Sequence, residues 1–336
     1  MLTLGVSCQE NRPCDTPDNK QRRQPMNINQ VLSQQYNINN ATLTAVPPGW
    51  SALAYRVEDS NKRYFLKVYD KTRYSSQIWI QGIDRYMPTV VWLGEQTSLR
   101  GRIPHVILTA DGSYKYEDDK KVYILFDWID GVTPRDKPLT KPQLAYLAQI
   151  IAELHTFTEQ IPTQSSVTRE SYDIPFYDIL MQRAQNADEN IPNEYLQTII
   201  EKLHQLSKVS KTLPALNLPY TLCHNDIHGW NVITQGDRLV LLDWEGLQLA
   251  PREADLFMFK YERYWGQRWN EFFNEYKKIH PNLELNETIM RFFRLRRRLT
   301  DIDEFINNIT LDNASSDVIE EAKQLLVREC GLLSLA

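Results

Sequence analysis

Three side chains define the chemistry open to this chain: the carboxylates of Asp226 and Asp243 and the carboxamide of Asn231. Asp226 lies in the polar loop His224-Asn225-Asp226-Ile227-His228-Gly229-Trp230-Asn231, between short apolar runs. Asp243 closes the next apolar run, after a hairpin-like turn at Gln235-Gly236-Asp237. Phosphoryl transfer depends on in-line positioning and charge neutralisation more than on covalent help, so it needs few residue types. A carboxylate such as Asp226 would orient an acceptor hydroxyl and take its proton. Asn231 and Asp243 would offer hard oxygen ligands suited to magnesium at nucleotide phosphates.

The spacing reproduces a kinase catalytic loop and its metal aspartate, with His-Asn-Asp for His-Arg-Asp and Asp243-Trp244-Glu245 for Asp-Phe-Gly. In this form it resembles the aminoglycoside phosphotransferase and choline kinase superfamily. The stretches Leu222 to Val232 and Leu249-Ala250-Pro251-Arg252-Glu253-Ala254-Asp255-Leu256 look most like its spectinomycin phosphotransferase branch. The resemblance implies an α+β, bilobal, protein-kinase-like fold. A disordered tail over 1–26 would precede a small antiparallel-sheet N-lobe over 27–130 and a mainly helical C-lobe over 131–336. It also implies a magnesium-dependent kinase using ATP, with GTP left open, whose acceptor is a small hydroxylated molecule. Aminoglycoside or aminocyclitol antibiotics come first among acceptors, with choline-, homoserine- or methylthioribose-kinase-like metabolite kinases as the alternative. A nucleotide-binding pseudokinase is disfavoured because Lys67, Asp226, Asn231 and Asp243 are all present.

Other roles follow from the resemblance. His224 would be a scaffold for the backbone around the metal aspartate. Asp255 would support the catalytic loop, although an N-cap for the next helix is an equal local reading. Glu245 is either a second carboxylate for the metal or a surface acid. Phe126, Asp127, Trp128 and Ile129 would form the interlobe hinge, where backbone groups read adenine, or would merely close a sheet. His228 stands two residues after Asp226, where protein kinases carry a lysine, and is expected to donate to the γ-phosphoryl group when protonated.

These groups need an N-terminal sheet to face them. Alternating or apolar runs predict strands over 41–46, 52–58, 64–69, 105–110 and 122–128. Lys67 is flanked by apolar residues of the third, so its amine calls for an anionic partner, the nucleotide phosphates and a helix carboxylate in a kinase. Gly49 and Ser51 lie in a loop with a single glycine, read as a weak phosphate loop or an ordinary hairpin turn. Residues 75–99 have helical spacing, but Pro88 predicts a break or kink, with two helices as one outcome. Asp84 on the first piece and Glu95 on the second are candidates to pair with Lys67.

The rest reads as helical. Thr140-Lys141-Pro142-Gln143 has the form of a capping box ahead of a core helix. His155 and His204 read as packed or capping histidines, and Cys223 as a small buried thiol. Further helices are expected over 255–258, 265–278, 287–309 and 317–333. Arg291, Arg294, Arg296, Arg297 and Arg298 crowd one of them, but Asp301, Asp303 and Glu304 follow, so internal salt bridges and a solvated face are favoured over nucleic-acid binding. The same acids are candidates for a cationic acceptor such as an aminoglycoside. A net charge of −5 permits such a substrate and argues against a nucleic-acid partner. The 336 residues, 42% hydrophobic and 24% charged, are ordinary for a globular chain of two lobes. No apolar run approaches the ~18 residues of a membrane span, and four scattered cysteines fit a reducing, cytoplasmic setting.

Overall fold

The computed structural model describes residues 26–46, 52–135, 137–162, 166–261, 266–312 and 315–335. The expectations for the tail over 1–25 and for Gly49 and Ser51 lie outside them. A short helix, α1 (Ile28–Tyr36), opens the described chain behind a capping box of Asn27 and Gln30. That cap pair is a legible signal, yet the sequence reading began with strands.

Strands β1 (Thr42–Val46), β2 (Leu53–Glu58), β3 (Arg63–Asp70), β4 (Val106–Ile107), β5 (Tyr116–Glu117) and β6 (Lys121–Asp127) form one antiparallel sheet in the order β1-β2-β3-β6-β4, with β5 also on β6. β4 is much shorter than the expected 105–110. Past it, the Thr109 hydroxyl accepts from the Ser113 amide and donates to Asp111, folding the chain into a turn.

Alternation gives the sheet two faces. Leu66 and Val68 of β3, with Val57, Tyr123 and Leu125, pack under Val31, Leu32 and Tyr36 of α1. Lys67 and Tyr69 point the other way, the face on which Ile124 and Val122 join the main core. β3 is central, with Lys67 opposite Ala54 on one side and Ile124 on the other.

Between β3 and β4 runs a single helix, α2 (Tyr74–Gln96), unbroken at Pro88. This corrects the expectation of two helices. A proline inside a helix costs about 3 kcal/mol, whereas burying Ile83, Met87, Val90 and Leu93 stabilises by roughly 1.5–3 kcal/mol each. The buried stripe wins.

The larger lobe holds α3 (Lys141–Leu154), α4 (Tyr177–Gln185), α5 (Leu196–Ser210), the strands β7 (Thr221–Cys223), β8 (Val232–Gln235), β9 (Arg238–Leu241) and β10 (Gln248–Ala250), and then α6 (Glu253–Tyr261), α7 (Trp269–Tyr276), α8 (Glu287–Thr310) and α9 (Ser316–Leu332). The capping box of α3 is present as expected, with Gln143 returning the Thr140 bond. α4 was not anticipated; it buries only Leu180, Met181 and Ala184 and leaves Ile179 half exposed, too thin a stripe to stand out. β8 and β9 form the expected hairpin, with Gly236 at φ +62°. β7 and β10 pair antiparallel, so the two halves of the recognised motif become neighbours. Among the described residues no helix is long and apolar enough to cross a membrane.

Where the chain leaves β6, Gly131 has φ +149°, and a Cβ there would meet the Thr234 carbonyl oxygen at 2.4 Å. Four residues on, the Arg135 amide donates to the Gly229 carbonyl at 3.0 Å. The connection between lobes is thus stitched to the loop that carries Asp226. A Cβ on Gly229 would stand 1.8 Å from the Arg135 carbonyl oxygen, a backbone atom that cannot swing aside. Gly229→Ala is therefore expected to cost on the order of 1–3 kcal/mol, read as a lower thermal midpoint. An unchanged midpoint would mean that this contact is not made in solution.

Candidate active site

The site lies between the inner face of β3 and the loops after β7 and β9. Asp255, in the first turn of α6, is fully buried and aimed at the loop: its carboxylate accepts from the amides of His224 at 3.0 Å and Asn225 at 2.6 Å. His155 Nε2 lies 3.0 Å from the same carboxylate, and its Nδ1 2.7 Å from the Tyr276 hydroxyl. Because a carboxylate only accepts, Nε2 donates to it, and Nδ1 bonds the tyrosine hydroxyl. Asp255 is thus the supporting acid; it lies inside its helix and is not the N-cap. His155 is packed, as expected. His204 is exposed, its Nδ1 3.1 Å from the Tyr177 hydroxyl.

His224 is enclosed too. Its Nε2 lies 2.8 Å from the Leu242 carbonyl oxygen, its Nδ1 accepts from the Asp226 amide at 3.2 Å, and its ring meets Trp244 edge-on at 4.7 Å. Burial holds its pKa below the ordinary histidine value, which suits a neutral ring using one nitrogen as donor and the other as acceptor. The histidine joins the Asp226 loop to the strand end that presents Asp243. Asp243 and Asn225 both adopt left-handed backbone, at φ +59° and +66°, an uncommon conformation that non-glycine residues keep where the surroundings enforce it.

Asn231 Nδ2 donates to the Asp226 carbonyl at 2.9 Å and to its Oδ2 at 2.8 Å, which turns the oxygen of the amide away from Asp226. His228 Nε2 lies 3.3 Å from Asp226 Oδ1, and its Nδ1 accepts from the Trp230 amide. A third partner of the carboxylate, not expected from the sequence, is Arg297 of α8, whose Nη1 lies 2.5 Å from Asp226 Oδ1. Burial alone would raise the Asp226 carboxyl, but the charges and hydrogen bonds of His228 and Arg297 carry it well below the usual carboxylate range. Position in a basic run gave no hint which arginine would enter the site.

Lys67 corrects another expectation. Its ammonium lies 2.9 Å from Asp243 Oδ1 and in contact with Glu245, whose side chain is 8% exposed and also takes the Tyr69 hydroxyl. Asp84 instead binds Lys115 at 2.7 Å and accepts from the Tyr114 hydroxyl at 2.8 Å, while Glu95 is exposed. Where a helix carboxylate was expected, α2 presents Tyr86, which hydrogen-bonds Tyr69. Glu245 is therefore no surface acid. Burial lowers the Lys67 pKa, but the charges of Asp243 and Glu245 more than offset it, and the lysine stays protonated.

At the expected hinge, the amides of Asp127 and Trp128 are spent on the carbonyls of His105 and Arg63, the Asp127 carboxylate takes Lys62 and His105, and the Phe126 ring packs on Phe65. Ile129 follows, half buried. Of the three acids expected at the acceptor, all on α8, Asp301 binds Arg297 at 2.7 Å and Asp303 binds Arg183 at 3.3 Å and Asn307. Neither carboxylate is without a cation. Glu304 is exposed, and the protein wall around it, followed by the charge of Asp301, pushes its carboxyl up to about 8. Arg291 and Arg296 pair with Glu287 and Glu170, and Arg298 with Glu329, so the basic run is consumed internally.

The profile of the phosphotransferase enzyme family matches residues 42–299. No curated protein sequence matches the chain. Among solved structures, a spectinomycin phosphotransferase in complex with ADP and spectinomycin aligns with a TM-score of 0.66 at 19% identity, covering 93% of this chain and 100% of that one. An amicoumacin kinase in complex with AMP-PNP and Ca2+ aligns at 0.60 with 16% identity over 90% and 91%, and a microcompartment-associated aminopropanol kinase at 0.57 with 17% identity over 91% and 95%. At these identities the likeness is one of fold.

The raised carboxyls have a measurable consequence. A carboxyl whose folded pKa exceeds its unfolded value keeps a proton in the fold that the open chain releases, so stability falls as pH rises through that window. For Glu304 the window runs from the ordinary carboxylate range up to about 8. Glu304→Gln should therefore gain in thermal midpoint over the wild type on going from about pH 5 to about pH 8.5; a difference independent of pH contradicts the assignment.

Proposed function

Because the chain belongs to the phosphotransferase enzyme family, we propose that it transfers the γ-phosphoryl group of ATP to a hydroxyl of a small molecule, with an aminoglycoside or aminocyclitol antibiotic as the first acceptor class. The observation that carries the reaction is that Asn231 holds Asp226 and Asp243 holds Lys67, while Leu242, next to Asp243, bonds both Asn231 and His224 and so joins the two pairs. Asp226 binds the acceptor hydroxyl and takes its proton as the oxygen attacks phosphorus. Its depressed pKa keeps it ionised at neutral pH. Lys67, cationic between two carboxylates, is the N-lobe group for the nucleotide phosphates.

The donor set fits magnesium. Asp243 is 37% exposed, already faces a cation, and with the amide oxygen of Asn231 supplies hard oxygen ligands; Glu245 is the third candidate. Magnesium would neutralise phosphate charge there and orient the γ-phosphoryl group. His228 stands beside Asp226 with Nδ1 engaged by the Trp230 amide, so Nε2, which faces Asp226 Oδ1, is its remaining donor, and we assign that nitrogen to the transferred group once ATP is bound. Phe126 to Ile129 lie where the chain crosses between lobes and are assigned to the adenine side of the site, although the amides of Asp127 and Trp128 are already engaged and do not read the base.

The acceptor class is supported by resemblance in the motif; of the acids on α8, Asp301 and Asp303 already hold arginines and add no free charge for it. The aminopropanol kinase among similar structures makes a small amino alcohol the second acceptor to try. The decisive experiment incubates purified protein with magnesium and ATP against spectinomycin, other aminocyclitols, aminoglycosides and aminopropanol. Acceptor-dependent formation of ADP and a phosphorylated product is expected; ATP binding without transfer to any of them would favour a scaffold.

Two variants test the roles. Asp226→Asn should abolish transfer while nucleotide binding survives, and normal turnover in it would remove the assignment. His228→Gln should lower kcat by about tenfold to a thousandfold, as expected for loss of a transition-state donor; an unchanged kcat would leave His228 as a loop support only.

A further inference from the structure

Arg296, Arg297 and Arg298 are consecutive in α8, and successive side chains on an α-helix are turned by about 100° around its axis. The outer two are committed to buried acids. Arg296 binds Glu170 through Nη1 at 2.8 Å and Nη2 at 2.5 Å, and Arg298 binds Glu329 of α9. Those pairs fix the rotation of the helix and carry Arg297 to the catalytic loop. There its Nε lies 2.7 Å from Asp301 Oδ1 and its Nη1 2.5 Å from Asp226 Oδ1. Two nitrogens of one planar group are thus held by two carboxylates.

The bonds at Asp226 are unequal. Oδ1 faces both Arg297 and His228, whereas Oδ2 takes Asn231. Each carboxylate oxygen has two acceptor directions, so Oδ2 keeps one for an incoming hydroxyl. We infer that Arg297 is a positioning residue for phosphoryl transfer: anchored by Asp301, it occupies Oδ1 and fixes the Asp226 carboxylate with Oδ2 presented to the acceptor. This rests on the kinase reading of the loop. In the step, the acceptor oxygen bonds to the γ-phosphorus, the bond to the β–γ bridging oxygen breaks with its electron pair leaving on ADP, and the hydroxyl proton passes to Oδ2. Lysine cannot replace the arginine, because one nitrogen on a flexible stem cannot hold both acids in fixed directions.

The test uses the full chain with magnesium and ATP, water serving as the acceptor and phosphate release as the readout. Arg297→Ala should lower kcat about a hundredfold with the KM for ATP within about twofold. Arg297→Lys should regain less than about tenfold of that loss. Guanidinium ion at low concentration should accelerate Arg297→Ala by at least about tenfold and leave the wild type unchanged, a response that a merely structural arginine would not give. Asp301→Asn, which frees the anchor, should cost about tenfold in kcat. The inference is overturned by an Arg297→Ala enzyme with wild-type kcat, by a loss confined to KM, or by a folded Arg297→Ala that guanidinium does not accelerate. Should that variant fail to fold, an Asp301→Asn enzyme with wild-type kcat overturns it alone. Absence of phosphate release and of transfer to every acceptor of the panel above by the wild type is a different result, and removes the kinase reading itself.

Discussion

The site depends on one buried carboxylate that touches no reacting group. Asp255 takes the amides of His224 and Asn225 and is backed by His155 and Tyr276. Taking an acid out of water is costly, and breaking its bonds leaves a buried charge unanswered. Two of these bonds go to main-chain amides, so the acid fixes the path of the loop itself. From that path His224 reaches across to Leu242, and Asp226 and Asn231 acquire their mutual orientation. Cys223 lies against this cluster with its thiol pushed well above its ordinary pKa by burial and by Asp255, which makes it inert packing.

At the other wall, the lysine of β3 is held from the loop below and not from the helix above. Glu245 takes the ammonium of Lys67, and Tyr69 and Tyr86 complete the buried surroundings. The acid that fixes the lysine therefore travels with Asp243, only two residues away. On the proposed reading, nucleotide phosphates would meet an ammonium already balanced by two carboxylates, and a divalent cation brought in with them would find anionic ligands in place.

Much of this was legible in sequence because the motif is local. Asp226, Asn231 and Asp243 declare themselves through spacing within a single loop and hairpin, and Lys67 through its apolar flanks. The capping box of α3 and the turn at Gly236 are likewise short-range chemistry. What stayed hidden was pairing between distant segments. Asp84 and Glu95 were reasonable partners for Lys67 on a helix, but sequence does not show that Lys115 and Tyr114 claim Asp84. Arg297 was one of five arginines in a row of charges, and only the commitments of Arg296 and Arg298 single it out. Pro88 misled for a related reason: its cost is local, and the burial that outweighs it comes from residues far along the chain.

The helix α2 is fastened at both ends to the opposite lobe. Near its start, Asp312 accepts from the Ser75 amide at 2.9 Å and binds Arg73 at 3.3 Å; beyond its end, Glu153 takes Arg102 at 2.7 Å and the Ser98 hydroxyl. An acid at a helix N-terminus is also favoured by the helix dipole. A beam pinned at both supports does not act as a lever. Any opening of the cleft that keeps these bonds leaves α2 with the larger lobe, and has to part the sheet from it at the bonds of Lys67 to Glu245 and of Tyr69 to Tyr86.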